Sequence, residues 1–178
     1  MQTQIFETAL GLFGIGWTDS GIARVHLPGL EHWELAQRLA AGGAVPSLPT
    51  REVEAIMERI EAYAEGQKVD FSDVALDLTG APDFHRRAYA CLTQIGWGEA
   101  TTYGVVARQL GNVNLSRAVG QAMGTNPIPL LIPCHRVLAS NGQAGGFSAP
   151  GGAETKQRML ALKGSGPGAP NGQLTFGF

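Results

Sequence analysis

The sequence has few cysteines, and it lacks any apolar run as long as a membrane span. Its two cysteines, Cys91 and Cys134, are too few for the disulfide framework of a small secreted domain. Residues 1–4 contain no Lys or Arg, so the start of the chain does not resemble a signal peptide. We therefore expect a cytoplasmic protein that has no membrane partner.

Charged residues are also scarce, at 16% of the 178 residues, and the net charge is only −2. These charges are unevenly distributed. Residues 1–80 contain five Lys and Arg against twelve Asp and Glu, a charge of −7, whereas residues 81–178 contain eight against three, a charge of +5. The basic second half indicates an anionic ligand for that half of the chain.

Residues that bind metals do not cluster in the sequence. His26 and His32 lie near each other, but no cysteine or carboxylate stands at a convincing metal-ligand spacing from them. We expect both to be surface or core histidines, and we expect no metal site.

The first half of the chain reads as strands followed by helices. Short segments rich in β-forming residues alternate with turn residues, which predicts an antiparallel meander. Apolar residues at helical spacing then predict two amphipathic helices, and a further apolar run predicts a last strand. The predicted strands span residues 4–10, 12–18, 21–26 and 74–78, and the predicted helices span residues 31–41 and 50–66.

The second half reads as helices. One helix is predicted from Pro82 to about Ile95, and a short helix that follows Thr101 ends at Gly111. The next helix, over residues 115–123, completes a helix-turn-helix pattern. Its side chains are mostly small, and Arg117 is its one long cation. Because a helix that reads bases in the major groove usually carries several long polar side chains, this composition favours shape-based binding in the minor groove.

Residues 126–137 carry the strongest chemical signal in the sequence. Three prolines exclude a helix interior or a central strand, and the segment then delivers Cys134, His135 and Arg136 in succession. Burial would raise the pKa of Cys134, and a neighbouring histidine is a common means of activating such a thiol. Adjacent side chains point in different directions, so a water molecule or a third residue would have to connect Cys134 with His135.

These residues resemble the active-site signature of the O6-alkylguanine-DNA alkyltransferase family. The resemblance extends over the second half of the chain and part of the first. It rests on five matches: Tyr103-Gly104, Arg117-Ala118-Val119-Gly120, Asn126-Pro127, Pro133-Cys134-His135-Arg136 and Gly145-Gly146-Phe147-Ser148.

The resemblance implies an α+β protein of two domains. Residues 1–80 would form a ribonuclease-H-like α/β domain, and residues 81–178 would form a winged helix-turn-helix domain that ends in a Gly/Pro-rich tail. The implied activity is DNA repair by irreversible transfer of the alkyl group of O6-alkylguanine to Cys134, and O4-alkylthymine is a second candidate substrate. The partner would be double-stranded DNA with alkylated bases, bound through its minor groove by a monomer that needs no cofactor.

The resemblance also assigns roles to residues. Cys134 would be the nucleophile, supported by His135 and Asn126, and Tyr103 would push the phosphate and donate towards the base. Arg117 would fill the space that the flipped nucleotide leaves. Further DNA contacts would come from Ser116, Ala118 and Gly120, and the base pocket would be lined by Val137, Ser140, Gly145, Phe147 and Ser148.

One position departs from the family pattern. Lys163 stands where the family has a glutamate that completes a cysteine–water–histidine–glutamate relay, and a cation there would disfavour a charged His135. Another carboxylate would have to serve His135, and Glu154 is the nearest in sequence. Two other functions stay open: an alkyltransferase-like protein that binds alkylated DNA with little transfer, and a cysteine hydrolase. A winged-helix transcriptional regulator is more remote, since the sequence shows no effector or dimerisation segment.

Overall fold

The structure, a computed structural model, describes residues 1–143 and 152–162. Backbone contacts divide the chain into two compact units. Unit 1 comprises residues 1–79 with residues 127–129, and unit 2 comprises residues 80–126 with the described residues from Leu130 onward. Every candidate site residue that the structure describes lies in unit 2.

Unit 1 is built on a four-stranded sheet of order β3-β2-β1-β4. The first three strands form the predicted antiparallel meander, which is confirmed, and the short fourth strand runs parallel to β1. Residues 13–17 of β2 are all buried, and the large apolar side chains among them (Phe13, Ile15 and Trp17) alternate with glycines. The strand bounds are β1 Gln2–Thr8, β2 Gly11–Thr18, β3 Gly21–His26 and β4 Val45–Pro46.

Two helices complete unit 1, and both predicted helices are confirmed: α1 spans His32–Ala40 and α2 spans Arg51–Ala64. A capping box between Glu31 and Glu34 begins α1, and the Thr50 side chain begins α2 by accepting a hydrogen bond from an amide of the first turn. A Cβ atom on Gly14 of β2 would lie 2.9 Å from a methyl group of Leu39, so the missing side chain lets α1 approach the sheet closely.

The strand predicted over residues 74–78 is wrong. The structure shows only an isolated parallel bridge between Ile22 and Leu76, with main-chain hydrogen bonds from Ile22 to Ala75 and from Asp77 to Ile22. The Asp77 carboxylate accepts hydrogen bonds from the Thr18 hydroxyl and the Thr79 amide. Such side-chain bonds to nearby backbone compete with a strand ladder, and here pairing ends after one bridge.

The turn between β2 and β3 depends on Gly21. Its φ is +132°, and a Cβ atom there would lie 2.3 Å from the Ala75 carbonyl oxygen. We expect Gly21→Ala to lower the free energy of unfolding by about 2–3 kcal/mol, from backbone strain and this clash. Urea unfolding followed by circular dichroism measures the loss. Gly42→Ala is the matched control, because Gly42 also has positive φ but has open space around it; equal losses for the two variants would contradict the role of the Ala75 contact.

Unit 2 is mainly helical, and its helices are α3 Asp83–Leu92, α4 Tyr103–Gln109, α5 Ser116–Gly124 and α6 Gly152–Ala161. Two short parallel strands, β5 Thr101–Thr102 and β6 Val137–Leu138, pair with each other. The predicted helices at α3, α4 and α5 are confirmed, although α3 ends three residues before Ile95. Among the described residues, no helix is both long and apolar enough to cross a membrane.

The helices α3, α4 and α5 share one apolar core. Its buried members include Ala88, Leu92, Val106, Val119 and Ala122. The buried Tyr89 hydroxyl donates a hydrogen bond of 2.8 Å to the Ala122 carbonyl, which ties α3 to α5 and satisfies a polar group that would otherwise be costly to bury. This core therefore fixes α5 through its inner face.

Candidate active site around Cys134

Cys134 lies at the start of a single 3₁₀ turn, Cys134–Arg136, that Pro133 precedes. The Cys134 amide donates to the Ile132 carbonyl at 2.8 Å, and the Arg136 amide donates to the Pro133 carbonyl at 2.9 Å. Leu130, four residues earlier, has a φ of +79°, a conformation that is costly for a branched side chain. The segment is thus held in a tight, partly strained path that places the thiol in the interior, where it is 3% exposed.

Asn126 is the residue that contacts the sulfur. Its side-chain amide nitrogen Nδ2 donates to the Cys134 Sγ at 3.2 Å and to the Ile132 carbonyl oxygen at 3.0 Å. The C-cap of α5 is Thr125, and Asn126 follows it. Asn126 connects the end of α5 to the segment that carries Cys134, and it offers a hydrogen-bond donor to the sulfur.

Opposing effects act on the pKa of Cys134. Burial raises the pKa, because the thiolate loses its hydration, and this is the largest effect. The Asn126 donor, the positive charge of Lys156 and the amides of Cys134 and His135 act in the other direction. The hydrogen-bond donors and the cation therefore offset part of the increase in pKa that burial causes, and a lower pKa keeps a thiol more reactive.

Strands β5 and β6 place Tyr103 beside this segment. Thr101 pairs with Val137 and Thr102 pairs with Leu138, so the residues that follow the cysteine run beside those that lead into α4. The Thr102 hydroxyl also caps α4, whose first residue is Tyr103. Burial raises the pKa of Tyr103, and the negative charge of the Cys134 thiolate raises it further. The phenol is therefore a protonated donor at neutral pH.

Lys156 is a site residue that the sequence analysis missed. Its side chain is completely buried, and Nζ donates to the Val137 carbonyl oxygen at 2.7 Å. The same nitrogen lies 6.0 Å from the centre of the Tyr103 ring. A signal was available in the sequence: Met159 and Leu160 follow Lys156 at helical spacing, so the three residues share one face of α6, and both apolar residues are buried.

His135 and Arg136 are both buried. The Arg136 guanidinium donates to the main-chain carbonyls of Ile95 and Gly96, with 2.7 Å to the latter. These bonds satisfy carbonyls beyond the end of α3, so Arg136 has a structural role here. Glu154, the carboxylate considered as a partner of His135, lies exposed in the first turn of α6.

An open cleft of about 960 Å³ lies next to Tyr103. Ser116 and Ser140, two other predicted site residues, also line it, and Arg108 lends it a positive charge. Arg117 is exposed on α5, and Gly120 lies close enough to Tyr103 that a Cβ atom there would contact the ring at 4.0 Å. The cleft lining comprises Thr102, Tyr103, Gly104, Val105, Arg108, Gln109, Val113, Ser116, Ala139 and Ser140.

Some predicted site residues lie outside the described residues: Gly145, Phe147, Ser148 and Lys163. Within residues 1–143 and 152–162, no group of three or more His, Cys, Asp and Glu side chains could hold a metal ion. The chemistry that the described part of the site offers is therefore that of a buried thiol with a cation, a phenol and an amide donor around it.

Comparison with known proteins identifies relatives of the chain. A family model described as 6-O-methylguanine DNA methyltransferase, DNA binding domain, matches residues 83–165. The methylated-DNA–protein-cysteine methyltransferase of Mycolicibacterium paratuberculosis is 42% identical over 107 residues, 60% of this chain and 62% of that protein. The protein of the same name from Methanothermobacter thermautotrophicus is 32% identical over 152 residues, 85% of this chain and 78% of that protein.

A solved structure gives the same result at the level of the fold. The crystal structure of Mycobacterium tuberculosis OGT in complex with DNA superimposes with a TM-score of 0.76 at 28% sequence identity. The superposition covers 95% of this chain and 97% of that one. The similarity therefore includes both the mixed helix-and-sheet first unit and the helical second unit.

Proposed function

The chain belongs to the methylated-DNA–protein-cysteine methyltransferase family, and on that premise we propose that it repairs DNA by moving the alkyl group of O6-alkylguanine onto Cys134. The observation that carries the proposal is the 3.2 Å hydrogen bond from Asn126 to the buried sulfur, in a site where Lys156 adds positive charge. The chain spans 62% of the length of the M. paratuberculosis relative, and the activity is inferred from the site together with the family.

The chemistry is a displacement at carbon. Cys134 gives up its proton, for which His135 is the proposed acceptor, and the thiolate attacks the alkyl carbon, so that an S–C bond forms as the C–O bond to guanine breaks. The electron pair of the broken bond stays on the guanine, which takes up a proton. Tyr103, whose pKa burial raises, stays a protonated phenol at neutral pH and is the donor we propose for that step; it then regains a proton from solvent. Because the thioether that forms has no route back to a thiol, each molecule acts once, and no cofactor is required.

We propose that the partner is double-stranded DNA with alkylated bases, bound in the minor groove by a monomer. The exposed Arg117 and the small residues Ser116, Ala118 and Gly120 along α5 support this mode, since small side chains allow the helix backbone to approach the groove. The target base lies inside a duplex and must be flipped out to reach Cys134. Val137 and Ser140, together with Gly145, Phe147 and Ser148, would then form its pocket, and His135 would assist the thiol.

We further propose that residues 1–80 form a ribonuclease-H-like domain and that residues 81–178 form a winged helix-turn-helix domain. The sheet of unit 1 with its two helices supports the first assignment. The order α3, α4 and α5 with the small β5–β6 sheet supports the second. Both cysteines are free, as a reducing compartment such as the cytoplasm would keep them.

The direct test is a single-turnover assay with a duplex that contains one O6-methylguanine. We expect equimolar protein to convert the lesion to guanine and to gain the mass of one methyl group in place of a hydrogen, as intact-mass spectrometry measures. A second aliquot of lesion duplex should then remain unrepaired. Tight binding of the lesion duplex without any mass gain would contradict the proposal and indicate a protein that recognises alkylated DNA without transfer.

The role of Arg117 can be tested separately. We expect Arg117→Ala to slow methyl transfer from duplex DNA by about tenfold to a hundredfold, because flipping a base costs a few kcal/mol that the arginine would offset by filling the gap. Transfer from free O6-methylguanine should hardly change. Arg158→Ala removes an exposed arginine of α6 and is the charge control. Equal slowing with duplex and with free base would contradict a role in flipping.

A further inference from the structure

Burying Lys156 is energetically costly because its side chain carries a positive charge. Its side chain is fully buried, and burial lowers its pKa because the ammonium loses hydration. A lysine normally avoids this cost by extending its amine to solvent. An apolar side chain of similar length would fill the same space without the cost. The ammonium must therefore interact favourably with groups in the interior.

The groups around the ammonium are those of the candidate active site. Nζ donates to the Val137 carbonyl at 2.7 Å and lies 6.0 Å from the centre of the Tyr103 ring. Across the described residues, no carboxylate pairs with Lys156. Its amine holds the carbonyl of Val137, which directly follows the 3₁₀ turn that begins with Cys134. The electrostatic effect of the two groups is mutual: Lys156 lowers the pKa of Cys134, and the Cys134 thiolate raises that of Lys156.

The Val137 carbonyl, which accepts this hydrogen bond, lies between two parts of the candidate active site. Val137 follows the 3₁₀ turn of the nucleophile directly and begins β6, which pairs with the residues that lead into Tyr103. A donor that holds this carbonyl therefore restrains the segment between the sulfur and the phenol. Lys156 belongs to α6, the helix that packs against the 3₁₀ turn, so its hydrogen bond connects α6 to the segment between the sulfur and the phenol.

We propose that Lys156 is a positioning residue for alkyl transfer: it anchors Val137 beside the nucleophile, and its ammonium stabilises the Cys134 thiolate from within the site. This inference rests on the proposed function and adds a residue to it. Because the low local dielectric strengthens a charge interaction, one buried cation can offset part of the desolvation of the thiolate. Among the described residues, the titratable and charged groups of the elements around it are Cys134, His135 and Arg136 of the 3₁₀ turn, and Tyr103 and the exposed Arg108 of α4.

The test compares Lys156→Met and Lys156→Arg with the parent protein, without DNA. The rate of Cys134 alkylation by iodoacetamide is followed against pH by mass spectrometry of the peptide that contains Cys134, which separates it from Cys91. For Lys156→Met we expect the half-maximal rate at a higher pH, and about tenfold slower alkylation at neutral pH, the equivalent of one pKa unit. Lys156→Arg, which keeps the charge, should lie nearer to the parent.

Arg158→Met is the control, because Arg158 is an exposed cation on the same helix, and its pH profile should match that of the parent. Thermal unfolding by circular dichroism reports whether each variant is folded. If Lys156→Met unfolds at the assay temperature, Lys156→Gln, which keeps a donor for Val137 without the charge, takes its place. An unchanged pH profile in a folded, uncharged variant would overturn the inference, even if methyl transfer slowed.

This assay separates the inference from the function on which it rests. Alkylation by iodoacetamide needs neither DNA nor methyl transfer, so a shift of the profile supports thiolate stabilisation by Lys156 by itself. If the parent protein transfers methyl groups but the uncharged variant keeps the parent pH profile, the proposed function stands and the proposed role of Lys156 is wrong. A parent protein that never gains a methyl group would remove the function, whatever the profile shows.

Discussion

Cys134→Ser is expected to abolish methyl uptake from O6-methylguanine duplex while leaving binding of the same duplex nearly unchanged. A serine hydroxyl is close in size to the thiol and can accept the hydrogen bond from Asn126. It does not ionise in the range in which a thiol does, and the reaction requires an anionic nucleophile. Intact-mass spectrometry after incubation measures uptake, and fluorescence anisotropy of a labelled duplex measures binding.

The chain offers its own control for this variant. Cys91 is the other cysteine, half-buried on α3, and burial raises its pKa as well. Cys91→Ser should transfer methyl groups at the parental rate. Methyl uptake that persists in Cys134→Ser but disappears in Cys91→Ser would show that the nucleophile has been assigned to the wrong cysteine.

Asn126→Leu is expected to slow methyl transfer by about tenfold to a hundredfold at neutral pH. A hydrogen bond to a charged group contributes about 1.5–3 kcal/mol, and the Asn126 donor lowers the pKa of Cys134. When the donor is lost, the pKa of Cys134 rises further above its usual value. Less thiolate is then present at neutral pH, so the rate should recover as the pH increases. Single-turnover kinetics across a pH series measure this shift of the rate profile to higher pH.

Asn126→Asp tests the same electrostatic effect with a second variant. The carboxylate has nearly the shape of the amide, but it replaces the donor with a negative charge beside the sulfur. Like charges disfavour one another, so the pKa of Cys134 should rise more than it does with leucine. The expected order of rates at neutral pH is parent, then Asn126→Leu, then Asn126→Asp. Equal rates for the two variants would show that Asn126 acts only through the Ile132 carbonyl and the path of the chain.

The parts of the structure that the sequence predicted depend on local patterns. The meander and both helices of unit 1 follow from alternation, helical spacing and turn residues, all of which act within a few positions. The segment around Cys134 could be proposed as a site because its residues are contiguous, and the contact between Asn126 and Cys134 spans only eight positions. Such short-range features can be predicted from a single sequence.

The parts that the sequence did not predict depend on tertiary contacts. The segment at residues 74–78 has strand-like residues, but the structure shows an isolated bridge there, accompanied by one hydrogen bond from Thr18 to Asp77, 59 positions apart. The two-residue strands β5 and β6 are too short to produce a periodic pattern, although their pairing places Tyr103 near the cysteine. The sequence analysis assigned no role to Lys156: helical spacing places it on the apolar face of α6, but the contacts of its amine with Val137 and Tyr103 are tertiary.

The measurement that tests the central claim most directly follows a labelled methyl group from guanine to sulfur. A duplex with one deuterated O6-methylguanine is incubated with the protein, and the peptide that contains Cys134 is analysed by tandem mass spectrometry. Our account predicts that the deuterated methyl group appears on the Cys134 sulfur in proportion to the guanine restored. Restored guanine without label on Cys134, or an unmodified Cys134 beside an intact lesion, would contradict it.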